Sequence, residues 1–210
     1  MIGMQTTRVI LLRHGECKGG NILRGQIDVA LTEQGELQMQ SVLRGLECSS
    51  FVPNFVLSSP LIRCANIAEE FALTQGLSYS TNAAFKELDF GDWDGQTFDA
   101  LYQSHAEELD AYWANPWAVA PPNGESMQAF ESRIDKAWQV MLEAYKGQCV
   151  LLVTHGGVMR HLIAKALGVT QAVGFYSSLK LPYAAKAEID VLYDENGQQF
   201  LTLHWGERRT

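Results

Sequence analysis

Three short apolar runs, spaced along a mostly amphipathic chain, most constrain the fold. They lie at Val9–Leu12, Phe55–Leu57 and Cys149–His155, and each consists of consecutive apolar residues almost to its C-terminal end. A strand without alternating polar positions has no face for water, so it must lie in a sheet that is covered on both sides. The sequence therefore predicts a central sheet between two layers of helices.

Stretches with helical signals separate these runs. Thr32 predicts the start of a helix that ends near Glu47, because its side chain can cap the free N–H groups of the first turn. Pro60 precedes a second helix, as proline is favoured at a helix start. The predicted helices span about 33–47, 61–75, 98–113, 126–146 and 158–167, and 85–95 is predicted to be a loop.

The end of the chain carries two segments with alternating polarity. Ala187–Tyr193 and Phe200–Trp205 flank an Asn196-Gly197 turn, which predicts an antiparallel hairpin. Elsewhere strands alternate with helices, which indicates a parallel sheet. We therefore expect an α/β fold, a three-layer α/β/α sandwich whose mostly parallel sheet has an antiparallel edge, forming one domain over residues 1–210.

Composition narrows the class of partner. The chain has 210 residues, and 24 acidic against 16 basic side chains give a net charge of −8, which argues against nucleic-acid binding. No apolar run reaches the length of a membrane span, and no signal peptide is visible. Cys17, Cys48, Cys64 and Cys149 form no C-x-x-C pair and no zinc-type spacing. These features predict a cytoplasmic protein without a membrane partner.

Polar residues follow each buried run, where parallel strands deliver ligand-binding groups. Arg13 and His14 end the first run, Arg63 lies shortly after the second, and His155 and Gly156 end the third. A neutral imidazole can attack phosphorus, and guanidinium matches the geometry of phosphate oxygens. Gly156 would open a helix whose free N–H groups favour an anion. This combination predicts phosphoryl transfer.

The reaction also needs a proton donor for the departing oxygen. Glu87, in the segment FKELDFGDWDG, is the best candidate for this acid. Asp89, Asp92 and Asp94 lie close by, and spacing alone leaves them open as alternatives.

Five motifs occur in order: LLRHGE, SSPLIRC, KELDFGDWDG, NGES and VLLVTHGGVMR. Over residues 8–168 they resemble the histidine phosphatase superfamily, the phosphoglycerate mutase-like proteins. The resemblance implies that His14 is the phosphorylated nucleophile and that Arg13, Arg63 and His155 bind the phosphoryl group. Glu87 would be the acid and then the base for water. No metal and no organic cofactor are implied.

The loop after His14 departs from the pattern of the family. Cys17 stands where the family usually has Thr or Ser, and the loop is two residues shorter. The family places an asparagine six positions after the histidine, whereas Asn21 lies seven positions after it. Asn21 is the corresponding candidate for substrate binding.

Residues 113–134, WANPWAVAPPNGESMQAFESRI, further resemble alpha-ribazole phosphatases. We therefore expect a metal-independent phosphomonoesterase that hydrolyses a small molecule, alpha-ribazole 5′-phosphate, in the nucleotide-loop branch of cobalamin biosynthesis. A phosphoglycerate mutase or a broad sugar-phosphate phosphatase is the enzymatic alternative, and a non-catalytic phosphate-binding module is the alternative from another class. The sequence leaves open whether the chain is a monomer or a homodimer.

Overall fold

The computed structural model describes residues 5–47 and 52–205, in which six strands form one sheet. Their order in the sheet is β3-β2-β4-β1-β5-β6. The neighbouring pairs among β1 to β4 are parallel, β5 pairs antiparallel with β1, and β6 pairs antiparallel with β5. The predicted mixed sheet with an antiparallel edge is confirmed. The strands are Thr6–Arg13 (β1), Phe55–Ser58 (β2), Ser78–Thr81 (β3), Cys149–Thr154 (β4), Lys186–Tyr193 (β5) and Gln199–His204 (β6).

The five predicted helices are present, with ends shifted by a few residues. The helices are Glu33–Glu47 (α1), Ile62–Gln75 (α2), Phe98–Ala114 (α3), Met127–Ala144 (α4), Gly156–Leu167 (α5) and Val173–Ser178 (α6). The predicted loop at 85–95 contains the 3₁₀ turn Gly91–Trp93. Two elements were not predicted: β3 is a four-residue edge strand without a fully buried residue, and α6 is too short to show a helical period.

β1 divides two hydrophobic cores because its successive side chains point to opposite faces. Val9 and Leu11 belong to the core shared with α3, α4 and α5, whereas Ile10 and Leu12 belong to the core shared with α1 and α2. All four side chains are fully buried. The predicted covering of the sheet on both faces is therefore confirmed.

The register of the sheet brings the ends of three strands together. Arg13, the last residue of β1, pairs with Thr154, the last residue of β4, and Ser58 of β2 pairs with Val153. His14, Ser59 and His155 are therefore the first residues beyond three adjacent strands.

The start of α1 packs directly on the backbone that follows β1. Thr32 Oγ1 accepts a hydrogen bond from the Gly35 N–H at 3.0 Å, which confirms the predicted cap. A Cβ on Gly35 would lie 2.0 Å from the Glu16 carbonyl oxygen, and one on Gly15 would lie 2.2 Å from the Gly35 oxygen. Both positions need glycine because two backbone segments touch there.

Among the described residues, no helix combines the length and the apolar composition needed to cross a bilayer. The cytoplasmic location stays a prediction.

We expect Gly35→Ala to lower the free energy of unfolding by about 2 kcal/mol or more, since the new methyl group must displace backbone. Gly45→Ala in the same helix is the matched control: nothing lies within 4 Å of its added Cβ, so helix propensity should raise stability by about 0.5 to 1 kcal/mol. Urea denaturation measures both changes. Equal effects of the two substitutions would contradict the close approach.

Candidate active site

His14 is buried at the C-terminal edge of the sheet, with only 4% of its surface exposed. Its Nδ1 lies 2.8 Å from the carbonyl oxygen of Gly15. A carbonyl oxygen can only accept, so Nδ1 carries the proton. In the neutral ring the lone pair is therefore on Nε2, which makes Nε2 the nucleophilic nitrogen.

The surroundings of His14 keep the ring neutral. Burial lowers its pKa to about 3, and the positive charges of Arg63, Arg13 and Arg24 act in the same direction, against the hydrogen bond to Gly15. A protonated imidazole has no lone pair to offer, so this shift keeps His14 in its nucleophilic form near neutral pH.

His155 lies beside His14, and the two ring centroids are 5.4 Å apart. Its Nε2 forms a hydrogen bond with Ser59 Oγ at 2.7 Å, and Ser59 Oγ accepts a second one from the Leu61 N–H at 3.3 Å. Burial is the main cause that lowers the pKa of His155 well below its usual value, so this ring is neutral too. Ser59, the first residue after β2, fixes the orientation of the ring.

Arg63 is fully buried and is fixed by backbone carbonyls. One terminal nitrogen donates to Ile27 O at 2.7 Å and the other to Gly25 O at 2.6 Å. Asp94 holds this loop in turn, because its carboxylate accepts from the N–H groups of Gly25, Gln26 and Ile27 at 2.7 to 2.8 Å.

Arg13 reaches the same edge of the sheet from the end of β1. It donates to the carbonyl of Leu181, and its Nε lies 3.5 Å from where a Cβ on Gly156 would stand. Within residues 5–47 and 52–205, the Nε atoms of Arg13 and Arg63 are buried without a hydrogen-bond partner, and neither guanidinium pairs with a carboxylate. Buried cationic donors of this kind are suited to an anion such as phosphate.

Glu87 lies at the N-terminus of α5, next to this cluster. Its Oε2 accepts from the Gly157 N–H at 3.0 Å and its Oε1 from its own neighbour, the Leu88 N–H, also at 3.0 Å. A Cβ on Gly157 would lie 2.2 Å from Oε1, so glycine is needed there for the carboxylate to approach the helix. The free N–H groups of the first turn favour negative charge at this position.

An ion pair braces the segment that carries Glu87. Arg133, on α4, donates to the main-chain oxygens of Ala84, Lys86 and Glu87 at 2.6 to 2.9 Å. The same guanidinium binds both carboxylate oxygens of Glu125 at 2.7 and 2.9 Å. Bidentate geometry and partial burial make this a strong contact, and it fixes the backbone from which Glu87 projects.

The three alternative carboxylates are engaged elsewhere. Asp94 holds the loop at Gly25–Ile27, Asp89 Oδ1 accepts from the Gly91 N–H at 2.9 Å, and Asp92 Oδ2 accepts from the Asn123 side chain at 2.9 Å. Of the four acidic residues in this segment, Glu87 is the one placed at the N-terminus of α5.

The structure thus brings His14, His155, Arg13, Gly156 and Glu87 together, with Arg63 beside them. Asn21 is different: it is exposed, and its contact with the described chain is through its carbonyl, which accepts from the Phe98 N–H at 3.4 Å. Its proposed role in binding substrate rests on sequence alone.

Several site residues were missed by sequence reasoning. Ser59 stands directly after a predicted strand, and Glu125 lies within the NGES motif, so both carried a signal. Arg24, Arg133 and Tyr183 carried none, because only the tertiary fold brings them near His14 and Glu87.

No cluster of three or more His, Cys, Asp or Glu side chains that could hold a metal ion occurs in the part of the chain that is described. Cys17 Sγ lies 3.3 Å from His14 Nδ1, and burial is the main cause that raises its pKa, so it stays a thiol.

Comparison with known proteins gives a consistent result. The profile of the Histidine phosphatase superfamily (branch 1) matches residues 9–205. The adenosylcobalamin/alpha-ribazole phosphatase of Escherichia coli (strain K12) is 33% identical over 165 residues, which are 77% of this chain and 80% of that protein. The prediction of one domain over all 210 residues stays a prediction.

Two further relatives define the range of similarity. The 2,3-bisphosphoglycerate-dependent phosphoglycerate mutase of Bartonella quintana (strain Toulouse) is 29% identical over 168 residues, 77% of this chain and 82% of that protein. The crystal structure of the alpha-ribazole phosphatase from Shigella flexneri superposes with a TM-score of 0.76 at 26% identity and covers 94% of both chains.

We expect the histidines to titrate differently between about pH 8 and about pH 5. Burial alone would lower the pKa of His161, but hydrogen bonds to Glu131 and Asp135 raise it above its usual value, so His161 should be protonated at the lower end of this range. His14 and His155 should not. Ring nitrogen chemical shifts in an NMR titration report each change, and His161→Gln assigns its signal.

The pKa shifts of His14 and His161 make the free energy of unfolding depend on pH in opposite directions. The histidines of the unfolded chain gain a proton below about pH 6.5, whereas His14 of the folded chain stays neutral until the pH reaches its pKa of about 3. The contribution of His14 to stability is therefore lost as the pH falls from about 6.5 to about 3. The contribution of His161 is present at low pH and is lost as the pH rises through its raised pKa. Protonation of His14 near pH 6 would contradict the arrangement described here.

Proposed function

The chain belongs to the histidine phosphatase superfamily, and we propose that it is a metal-independent phosphomonoesterase that works through a phosphohistidine on His14. The observation that carries the proposal is the state of His14: a neutral ring with Nδ1 committed to the Gly15 carbonyl and the lone pair left on Nε2. Such a ring is ready to attack phosphorus without a separate base.

The charges around His14 support the binding of a phosphoryl group. Arg63 provides a buried guanidinium and Arg13 a partly buried one, both with unused Nε donors, and the N-terminus of α5 lies beside Arg13. In phosphoryl transfer, negative charge spreads over three equatorial oxygens, and fixed cationic donors stabilise it. Carbonyl partners hold both arginines in place beforehand, so little reorganisation is needed when phosphate arrives.

In the first step, the Nε2 lone pair of His14 forms a bond to phosphorus while the ester oxygen–phosphorus bond breaks. The negative charge of the bound phosphate favours the protonated form of Glu87, which gives its proton to the departing oxygen, and the alcohol leaves. In the second step, Glu87 takes a proton from water, the water oxygen bonds to phosphorus, and the phosphorus–nitrogen bond breaks. Inorganic phosphate leaves, and both His14 and Glu87 return to their starting states.

The proposed substrate is alpha-ribazole 5′-phosphate. Support comes from the name of the Escherichia coli relative and from the resemblance at residues 113–134. Similarity to phosphoglycerate mutases makes transfer of the phosphoryl group within phosphoglycerate the second candidate. Release of inorganic phosphate in a panel of monoesters that includes alpha-ribazole 5′-phosphate and 3-phosphoglycerate, with isomer analysis of the latter, separates hydrolysis from mutase chemistry.

We expect His14→Ala to remove turnover and to leave the fold intact, because the neighbouring groups are not prepared to attack: His155 Nε2 is engaged by Ser59 Oγ, and Cys17 stays a thiol. Wild-type protein incubated with phosphorus-labelled substrate should carry a label that is lost in acid and stable in alkali, and the variant should carry none. Label retained by His14→Ala would place the nucleophile elsewhere.

For Glu87→Gln we expect a loss that depends on the leaving group. Alkyl phosphates release a strongly basic oxygen, so formation of the phosphoenzyme should slow by roughly a hundredfold to ten-thousandfold, whereas nitrophenyl phosphate should slow little. Rapid-quench measurement of both esters provides the comparison, and dephosphorylation is followed separately. Asp92→Asn on the same segment is the control and should change neither rate. Equal slowing of both esters would show that Glu87 only shapes the loop.

A further inference from the structure

A tyrosine lies at the mouth of the site with no role in the mechanism above. Tyr183 is 37% exposed, although it follows buried Leu181 closely in sequence. Its ring centroid is 6.2 Å from that of His14, and the Arg13 guanidinium carbon lies 4.8 Å from the centre of the same ring. An exposed aromatic ring beside a nucleophile can contact the part of a substrate that projects out of the site.

The segment around Tyr183 is fixed to the residues that form the phosphate site. Arg13 donates to the Leu181 carbonyl, and the Arg13 N–H donates to Ala185 O at 2.9 Å. The Ala184 N–H donates to His14 O at 3.1 Å. Ala184 has a φ of 54°, a conformation that non-glycine residues adopt at a cost, and the surrounding bonds hold it there. The ring is therefore placed relative to His14.

Tyr183 and the N-terminus of α5 share Arg13 as a neighbour. Arg13 contacts both regions: its guanidinium carbon lies at the Tyr183 ring, and its Nε lies 3.5 Å from the position of a Cβ on Gly156. The next residue of α5, Gly157, donates to the Glu87 carboxylate at 3.0 Å. Arg13 is therefore near both the Tyr183 ring and the N-terminus of α5, where the Glu87 carboxylate is bound.

We infer that Tyr183 is a specificity-determining residue whose ring stacks on a flat aromatic group carried by the alcohol part of the substrate. The enzyme then selects phosphate monoesters with an aromatic ring near the ester over aliphatic monoesters of the same size. In kinetic terms the inference rests on the proposed phosphohistidine mechanism of His14.

The first experiment measures binding without catalysis. Benzylphosphonate and cyclohexylmethylphosphonate have the same size and charge, cannot be hydrolysed at an ester, and differ in the flat ring. We expect calorimetry to show that wild-type protein binds benzylphosphonate more tightly by about tenfold. Tyr183→Leu should remove this preference, and Tyr183→Phe should keep it. Tyr102→Leu, at a tyrosine on α3 that is 47% exposed, is the control.

The second experiment measures turnover of benzyl phosphate and cyclohexylmethyl phosphate. Both release a primary alkoxide, so both need the same proton from Glu87. Tyr183→Leu should lower kcat/KM for benzyl phosphate about tenfold more than for cyclohexylmethyl phosphate. It should leave dephosphorylation of the phosphoenzyme unchanged, because the alcohol part of the substrate has already left and His14 is the leaving group in that step.

The outcomes separate the two proposals. An equal loss of kcat/KM for both substrates, or slowed dephosphorylation, would mean that Tyr183 positions Arg13 and does not contact the leaving group. Either result overturns the inference. Unchanged preference in Tyr183→Leu overturns it as well. A binding preference that depends on Tyr183 in a protein that forms no phosphohistidine would support the aromatic subsite and refute the proposed mechanism.

Discussion

The parallel pairing of β1 with β4 is the constraint on which the site depends. Arg13 is in register with Thr154, so each strand ends at the same level and delivers a histidine as its next residue. The central residues of both strands, 9–12 of β1 and 150–153 of β4, are apolar and buried on both faces, and a slip of one residue would turn each apolar side chain toward the wrong core. The hydrophobic pattern that fixes the sheet therefore also fixes the separation of His14 and His155.

The second constraint is the burial of positive charge beside neutral imidazoles. Arg63 is fully buried, and its terminal nitrogens are satisfied by carbonyl dipoles and not by a carboxylate. A carboxylate partner would neutralise the arginine and compete with a phosphoryl group. Carbonyl partners leave the charge in place, and that charge, with burial, lowers the pKa of His14 to about 3. The arrangement that costs stability is thus the one that prepares both the proposed nucleophile and the proposed anion site.

The site residues that could be predicted from sequence are those whose position follows from a local hydrophobic pattern. His14, Arg13 and His155 directly follow or end apolar runs, so the rule that parallel strands end together was enough to group them. Ser59 carries the same signal, since it follows β2 directly, whereas Asp94 and Arg133 act through contacts between distant segments, and a solvated carboxylate has the same local pattern as Asp94. The edge strand β3 and the short helix α6 were not predicted, because neither buries enough apolar surface to produce a periodic hydrophobic pattern in the sequence.

Cys17 stands where the family usually has Thr or Ser, and the structure explains why. The main chain, and not the side chain at position 17, determines which ring nitrogen of His14 carries the proton. A hydroxyl at position 17, as the resemblance led us to expect, could hydrogen-bond the ring or the phosphate. The Cys17 thiol lies 3.3 Å from Nδ1 and 3.4 Å from Gly15 O, but it is a weak donor and a weak acceptor. The strong partner of Nδ1 is the Gly15 carbonyl, which is backbone and does not change with side-chain identity. That carbonyl is held by the close packing of Gly15 on Gly35 at the start of α1. Because the main chain sets the tautomer, position 17 can carry a thiol without loss of the nucleophilic Nε2.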